Sequence, residues 1–97
     1  MININNLVKK YKRHTILQVA DLFLKRLELI DSADDKVKTF SLGMKQKLAI
    51  ILACLKGDKV IILDEPFNGL DVRSVREVID ILLEEKQKGK IIIVSSH

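Results

Sequence analysis

The chain has 97 residues, of which 47% are hydrophobic, 31% are charged and 4% are aromatic, and its formal net charge is +4. This length allows one small domain, and this composition excludes an intrinsically disordered chain. Because aromatic residues are so few, the core is expected to consist of Ile, Leu and Val side chains.

The first half of the chain predicts a weak strand followed by two helices. Alternating apolar residues predict a strand at 2–8, and the basic segment 9–15 predicts a loop. The basic residues around Tyr11 also fit a nucleic-acid contact, but a solvated loop explains them as well, and no nucleic-acid partner is expected. Apolar residues at helical spacing predict an amphipathic helix at 18–30. A second helix at 44–56 is apolar on nearly all sides and is therefore expected to be buried.

The second half predicts a strand, a helix and a strand. Continuous apolar runs predict strands at 60–63 and 90–95, each buried on both faces as in a parallel sheet. Helical spacing of apolar residues predicts a helix at 72–87, with Asp71 as its N-cap. These elements form one parallel βαβ unit over residues 60–95, so the predicted fold class is α/β.

No segment has the length of a membrane-spanning helix. The longest uncharged apolar run has eight residues, 48–55, whereas a spanning helix needs about 20. Residues 1–6 lack the basic and apolar regions of a signal peptide, so we expect a cytosolic chain. Cys54 is the one cysteine, and its apolar neighbours predict a small core residue.

Acidic and polar residues follow both predicted strands. Asp64 and Glu65 come after the first, and Ser95, Ser96 and His97 after the second. In an open α/β sheet, ligands bind at the carboxyl ends of the strands. There Asp64 is a hard oxygen ligand suited to Mg²⁺ beside a nucleotide, and Glu65 is suited to act as a general base on water. An ordinary acidic turn explains the two acids equally well.

Four segments, taken in order, resemble the motifs of ATP-binding-cassette (ABC) ATPases. Residues 40–48 (FSLGMKQKL) resemble the signature sequence, and residues 60–66 (VIILDEP) resemble the Walker B segment. Residues 68–71 (NGLD) are similar to the D-loop, and residues 95–97 (SSH) to the switch-histidine loop. The resemblance covers residues 18–97 and implies a P-loop NTPase fold of the ABC type.

The resemblance assigns a nucleotide-binding role to the signature segment. It implies that Ser41 and Gly43 contact the γ-phosphate of ATP held by an opposite subunit, with Gln46 in the same cofactor-binding group. Unpaired backbone N–H groups at a helix start favour such an anion, and an ordinary N-cap role for Ser41 is the alternative. Leu42 and Met44 depart from the commonest pattern, which has Gly and a polar residue at these positions.

The remaining motifs carry further implied roles. Asp64 is implied to bind Mg²⁺, Glu65 to activate the attacking water, and His97 to contact the γ-phosphate. Asp71 is implied to contact a second subunit, which is compatible with its N-cap role. Tyr11 lies in a segment that resembles the first strand of an ABC domain and is implied to stack on adenine.

The chain contains no P-loop. None of its four glycines is followed by Lys-Ser or Lys-Thr, whereas a P-loop needs this pattern to hold the β- and γ-phosphates. We interpret the chain as a partial ABC domain with an internal deletion and a carboxyl truncation. Residues 1–17 are then a remnant of the first-strand region, 18–56 the helical signature region, and 57–97 the Walker B, D-loop and switch-histidine region. Loss of the P-loop strand is expected to leave an apolar sheet edge, which favours self-association.

The resemblance implies an ABC transporter ATP-binding subunit, by descent an Mg-ATP hydrolase with ATP and Mg²⁺ as cofactors. Such a subunit pairs with a second ABC ATPase subunit and a transmembrane permease on the inner face of the cell membrane. Without a P-loop, hydrolysis by this chain alone is not expected. The alternative is a non-catalytic partner that offers its signature segment to an intact subunit. A nucleic-acid-associated ATPase of the same type is less expected, because no coiled-coil heptads separate the motifs.

Overall fold

The computed structural model describes residues 2–4 and 14–96, with side chains described from residue 18 onward in the second range. The main elements are α1 (His14–Arg26), α2 (Leu42–Leu55), β1 (Val60–Asp64), α3 (Val72–Gln87) and β2 (Ile91–Ser95). Two short 3₁₀ helices, Ile30–Ser32 and Val37–Thr39, connect α1 to α2. This order of elements confirms the predicted α/β class.

β1 and β2 form a two-stranded parallel sheet. Their register pairs Val60 with Ile91 and Asp64 with Ser95, so the carboxyl ends of the two strands lie side by side. The connecting helix α3 has the bounds predicted from the sequence. The parallel pairing confirms the predicted βαβ unit, because parallel strands require a crossover connection.

The prediction that both strands are buried on both faces is wrong. In β1, Ile61 and Leu63 are buried, whereas Val60 is 43% and Ile62 is 70% exposed. Ile91 of β2 is 59% exposed. Successive side chains of a strand point to opposite faces of the sheet. The described part of the chain therefore covers one face and leaves the other largely open to solvent.

The core lies between the helices and the covered face of the sheet. It is mainly aliphatic, as predicted, and includes Leu24, Leu27, Leu48, Ile51, Ile61, Val78 and Ile81, with Phe23 and Phe40 added. Cys54 is also buried, which confirms its predicted place in the core. Loss of hydration raises the pKa of its thiol to about 11.

Helix α1 ends four residues before the predicted boundary, because the chain turns at Glu28. This residue has a left-handed backbone, with φ of 60°. The N–H of Leu29 donates to the carbonyl of Leu24 at 2.7 Å, and the N–H of Glu28 donates to that of Lys25 at 3.2 Å. This pattern is a Schellman motif, which usually has Gly at the left-handed position. The sequence contains no signal for this helix end, because Glu occupies the position where Gly is usual.

The strand predicted at 2–8 is not present in the described part of that segment. Ile2 and Asn3 lie outside any helix or strand, and Ile4 has helical backbone geometry. Ile4 is fully buried in the core, and the carbonyl of Ile2 accepts a hydrogen bond from the N–H of Val37 at 3.1 Å. Ile4 packs in the core and the backbone of Ile2 contacts Val37, so these residues do not alternate across a sheet. Residues 5–8 lie outside the described residues.

Ion pairs join the segment around α1 to α3. The guanidinium of Arg26 donates to Glu84 at 2.9 and 2.6 Å and to Glu77 at 2.5 Å. Arg73 forms a further ion pair with Glu28, at the turn that ends α1. The hydrogen bonds from Arg26 lower the pKa of Glu84. These contacts fix the orientation of α1 against the helix that connects the two strands.

A buried carboxylate anchors the carboxyl-terminal end of α3. Glu85 is only 3% exposed, and it accepts hydrogen bonds from Lys88 at 2.8 Å and Lys90 at 2.5 Å. Loss of hydration opposes its ionisation, but the bonds to the two lysines lower its pKa overall. Lys90 also reaches the carbonyl of Cys54 at 3.4 Å. The ends of α2 and α3 are thereby joined at the start of β2.

Two glycines allow the start of α2 to contact the loop that follows β1. A Cβ atom on Gly43 would lie 2.5 Å from the carbonyl oxygen of Gly69. A Cβ atom on Gly69 would lie 3.0 Å from the Leu42 side chain, and Gly69 has φ of 77°. The two backbones therefore approach each other more closely than side chains would permit.

Replacing Arg26 with Met is expected to lower the free energy of unfolding by about 1 kcal/mol at low salt, since the ion pair is partly exposed and screened. Because pairing lowers the pKa of Glu84, this stabilisation is complete above the pKa of the unfolded carboxyl. It is lost as the pH falls through the lower pKa of the folded state. Urea unfolding as a function of pH measures both effects. Arg76→Met on exposed surface of α3 is the control, and an equal loss in both variants would contradict the prediction.

Replacing Gly43 with Ala is expected to destabilise the fold by about 1–3 kcal/mol, because the new methyl group meets a backbone carbonyl. This cost exceeds the gain of about 1 kcal/mol that Ala brings to a helix. Thermal and urea unfolding measure the change. Lys45→Ala, an exposed change in the same helical turn, serves as the control. A Gly43→Ala variant as stable as the original chain would show that the close contact is not made.

Candidate functional site

The carboxyl ends of β1 and β2 bring Asp64 and Ser95 together. Their register makes them neighbours, and the hydroxyl of Ser95 donates to Oδ1 of Asp64 at 2.8 Å. Both residues are exposed. The meeting of the two strand ends confirms that part of the sequence prediction. His97, which was predicted to act at the same edge, lies outside the described residues.

Glu65 follows Asp64 and adopts a left-handed backbone conformation, with φ of 45°. Such a conformation costs roughly 1–3 kcal/mol in a residue with a side chain, and it persists only where surrounding contacts hold it. The N–H of Glu65 donates to the carbonyl of Ser95 at 2.8 Å, which ties it to the end of β2. The strain lies at the residue that the sequence singled out as a candidate base.

The turn after Glu65 supports its carboxylate. The side-chain amide of Asn68 donates to Oε2 of Glu65 at 2.7 Å, and the backbone N–H of Asn68 lies 3.3 Å from the Glu65 carbonyl. Pro66 is buried between them. Asn68 is a candidate site residue that has no predicted role of its own within the NGLD segment. Its position three residues after the glutamate, inside a turn, is the one signal of this contact in the sequence.

The signature segment begins α2 with an exposed, capped end. Ser41 is the N-cap, and its hydroxyl oxygen accepts a hydrogen bond from the N–H of Met44 at 3.2 Å. The structure therefore shows the N-cap alternative, while the contact of Ser41 with a phosphate stays a prediction. Leu42 is 61% exposed, so the first turn of α2 is open to a partner or ligand.

Gln46 lies one turn further along α2 and contacts the candidate base. Its side-chain amide donates to the backbone carbonyl of Glu65 at 3.1 Å, in a partly buried position. The resemblance of the signature segment groups Gln46 with the residues that contact nucleotide. The structure adds a contact that the sequence did not predict, because 19 residues separate the two partners.

Asp71 caps α3 as predicted, since its Oδ1 accepts a hydrogen bond from the N–H of Ser74 at 2.7 Å. The bonds from Ser74 lower the pKa of Asp71, and the charge of Lys47 adds to the effect. The cap therefore stabilises the helix above the pKa of an unfolded aspartate and is lost as the pH falls through the lower folded value. The predicted contact of Asp71 with a second subunit stays a prediction.

Two of the predicted site residues cannot be placed. Tyr11, the candidate adenine platform, and His97 both lie outside the described residues. Among residues 2–4 and 14–96, no group of three or more His, Cys, Asp and Glu side chains is arranged to hold a metal ion. In the same part of the chain, no helix is both long enough and apolar enough to cross a membrane.

Several curated proteins are similar to this chain over most of its length. The uncharacterized ABC transporter ATP-binding protein YhcH of Bacillus subtilis is 44% identical over 92 residues, which are 94% of this chain and 29% of that protein. An uncharacterized ABC transporter ATP-binding protein of Methanocaldococcus jannaschii is 40% identical over 86 residues, which are 89% of this chain and 33% of that protein. The lantibiotic transport ATP-binding protein SrtF of Streptococcus pyogenes is 48% identical over 61 residues, covering 63% of this chain and 27% of that protein.

Solved structures of ABC proteins share the fold. A structure described as the ATP-binding subunit of an ABC transporter superposes with a TM-score of 0.90 at 26% identity, covering 99% of this chain and 42% of that one. A nucleotide-free ATP-binding cassette from an ABC transporter superposes with a TM-score of 0.66 at 26% identity, covering 89% and 34%.

A family match agrees with these likenesses. Residues 4–97 match the family described as "AAA domain, putative AbiEii toxin, Type IV TA system". The chain spans about a third of the length of the curated relatives named above. By the family match the chain belongs to this AAA-domain family, and the relatives and structural neighbours to which it is similar are ABC transporter ATP-binding proteins.

Proposed function

We propose that the chain contributes the Walker B, D-loop and signature parts of a site for Mg-ATP hydrolysis. One observation carries this proposal. Asp64 and Glu65 lie at the carboxyl end of β1, beside the end of the parallel strand β2, and the start of α2 is held against the loop that follows β1 through Gly43 and Gly69. Ligands of α/β sheets bind at such an edge. The names of the relatives, which are ATP-binding proteins, support ATP as the ligand.

The donor atoms at the strand ends fit Mg²⁺. Asp64 offers an exposed carboxylate, and the hydroxyl of Ser95 lies beside it at 2.8 Å. Hard oxygen donors of this kind suit Mg²⁺, which keeps several waters and takes few protein ligands. When bound, the ion neutralises charge on the phosphates of ATP. In this proposal Asp64 holds the ion, with Ser95 orienting its carboxylate.

The carboxylate of Glu65 is assigned to the attacking water. Its Oε2 accepts a hydrogen bond from Asn68 at 2.7 Å, which restricts the rotation of the side chain. A carboxylate held in one orientation can accept a proton from water without first losing conformational freedom. His97 is assigned to the γ-phosphate and Tyr11 to the adenine ring, as the family resemblance implies.

Ser41 and Gly43 are assigned to the γ-phosphate of a nucleotide held by an opposite subunit. The first turn of α2 carries the partial positive charge of a helix start, and its neighbour Leu42 is exposed. Gly43 lies against Gly69 of the same chain, so the contact assigned to it is through its backbone N–H, and Gln46 follows in the same segment. Asp71 is assigned to the contact between the two subunits. The expected partners are a second ATP-binding subunit and a transmembrane permease, at the cytoplasmic face of the membrane.

The 97 residues contain no P-loop sequence. We therefore expect no saturable binding of Mg-ATP to the chain alone. The P-loop supplies the backbone amides and lysine that position the phosphates, and phosphoryl transfer depends on that positioning. Calorimetric titration of the purified chain with Mg-ATP measures this, with Asp64→Ala and the exposed control Asp80→Ala alongside. Tight binding that Asp64→Ala abolishes and Asp80→Ala preserves would contradict the expectation and identify a complete site.

A second candidate function is that of a non-catalytic partner, which the exposed and capped start of α2 favours. The chain would then offer Ser41 and Gly43 to the P-loop of an intact subunit. We expect addition of the chain to change the ATPase rate of an intact relative such as the Bacillus subtilis protein YhcH. The rate as a function of chain concentration gives the apparent affinity.

The variant Ser41→Asp tests this contact without removing the helix cap. Aspartate caps a helix as well as serine does, but its charge would repel the γ-phosphate. We expect Ser41→Asp to weaken the effect on the ATPase rate by about tenfold or more, with unchanged thermal stability. An effect equal to that of the original chain would exclude the trans contact through Ser41.

A further inference from the structure

We infer that Gln46 is a positioning residue that fixes the backbone of Glu65 and connects it to α2, the helix that begins in the signature segment. The inference rests on the proposed function in one respect, namely that Glu65 is the residue assigned to the attacking water. It deepens that function, because it assigns to Gln46 a role at the base in place of a direct contact with nucleotide.

The backbone of Glu65 needs support from neighbouring groups. Its φ of 45° is unfavourable for a residue with a side chain, so neighbouring groups must hold it. Ser95 accepts its N–H at 2.8 Å, and Asn68 contacts its carbonyl and its carboxylate. These contacts come from the strand end and from the turn itself. Gln46 adds a bond at 3.1 Å from a different element, α2.

Gln46 lies on the part of α2 that contacts the loop after β1. Gly43, one turn earlier, meets the backbone of Gly69, and Lys47, the next residue, lowers the pKa of Asp71 through its charge. Together with the bond from Gln46 to Glu65, this places contacts of α2 at the beginning of the loop 65–71 and near its end. The start of α2 and this loop therefore form one unit.

The start of α2 joins the opposite subunit to the candidate base in this proposal. The same two turns of α2 carry Ser41, which is assigned to the phosphate of an opposite subunit, and Gln46, which holds Glu65. A displacement of the helix start when it meets a phosphate is transmitted to the carbonyl of Glu65. The base is thus held in its left-handed conformation by the element that senses the opposite subunit.

The experiment uses the whole chain and needs no nucleotide. Gln46→Met keeps the length of the side chain but removes the donor, and Gln87→Met on the exposed end of α3 is the matched control. Amide hydrogen exchange and the one-bond Cα–Hα coupling of Glu65, which depends on the sign of φ, are measured by NMR. We expect exchange at the Glu65 amide to become about fivefold faster in Gln46→Met, with a changed coupling, and to stay the same in Gln87→Met.

A double-mutant cycle separates positioning from simple packing. Glycine adopts positive φ without strain, so Glu65→Gly no longer needs to be held. We expect Gln46→Met to destabilise the chain less in the Glu65→Gly background than in the original one. Additive effects, or a Glu65 amide and coupling unchanged by Gln46→Met, would overturn the inference.

These outcomes are independent of the proposed function. Failure of the chain to act on the ATPase rate of an intact relative would weigh against the proposed function and leave the contact of Gln46 with Glu65 standing. Conversely, an effect on the ATPase rate combined with an unchanged Glu65 amide in Gln46→Met would keep the proposed function and remove the positioning role.

Discussion

The parallel pairing of β1 with β2 is the constraint on which the rest of the structure depends. The register that places Asp64 beside Ser95 also brings the N–H of Glu65 to the Ser95 carbonyl. A shift of one residue would turn Ile61 and Leu63 away from the core, because side chains alternate between the faces of a strand. The hydrophobic pattern therefore fixes both the core and the position of the candidate site. The hydrogen bonds between β1 and β2 therefore stabilise the fold and also position the residues of the candidate site.

The sequence was sufficient to predict the elements whose signals are local. Continuous aliphatic runs located both strands, and Asp71 followed by helical spacing located the start of α3, which the structure confirms. The end of α1 was missed because Glu28 takes a left-handed conformation that usually signals glycine. The cause of the left-handed conformation is the packing of Leu29, the next residue, whose side chain is almost fully buried.

The sequence predicted the residue types of the candidate site but only some of the contacts between them. Adjacent acids after an apolar run identified Asp64 and Glu65, and the βαβ topology predicted that Ser95 would lie near them. The bond from Gln46 to Glu65 joins residues far apart in the chain, and no periodic pattern encodes it. Burial on one face of the sheet was not predictable either. An uncharged apolar run shows that a strand can be buried, and its surroundings decide how many of its faces are covered.

The buried thiol of Cys54 has a consequence for how the chain can be studied. The thiolate is the form that reacts with alkylating reagents, and at neutral pH a thiol with a pKa of about 11 is almost entirely protonated. Alkylation in the folded state is therefore slow for two reasons, low thiolate content and lack of access. When the core opens, the pKa returns to about 8.5 and the rate rises. Cys54 is thus a reporter, contained in the sequence itself, of how often the core around α2 opens.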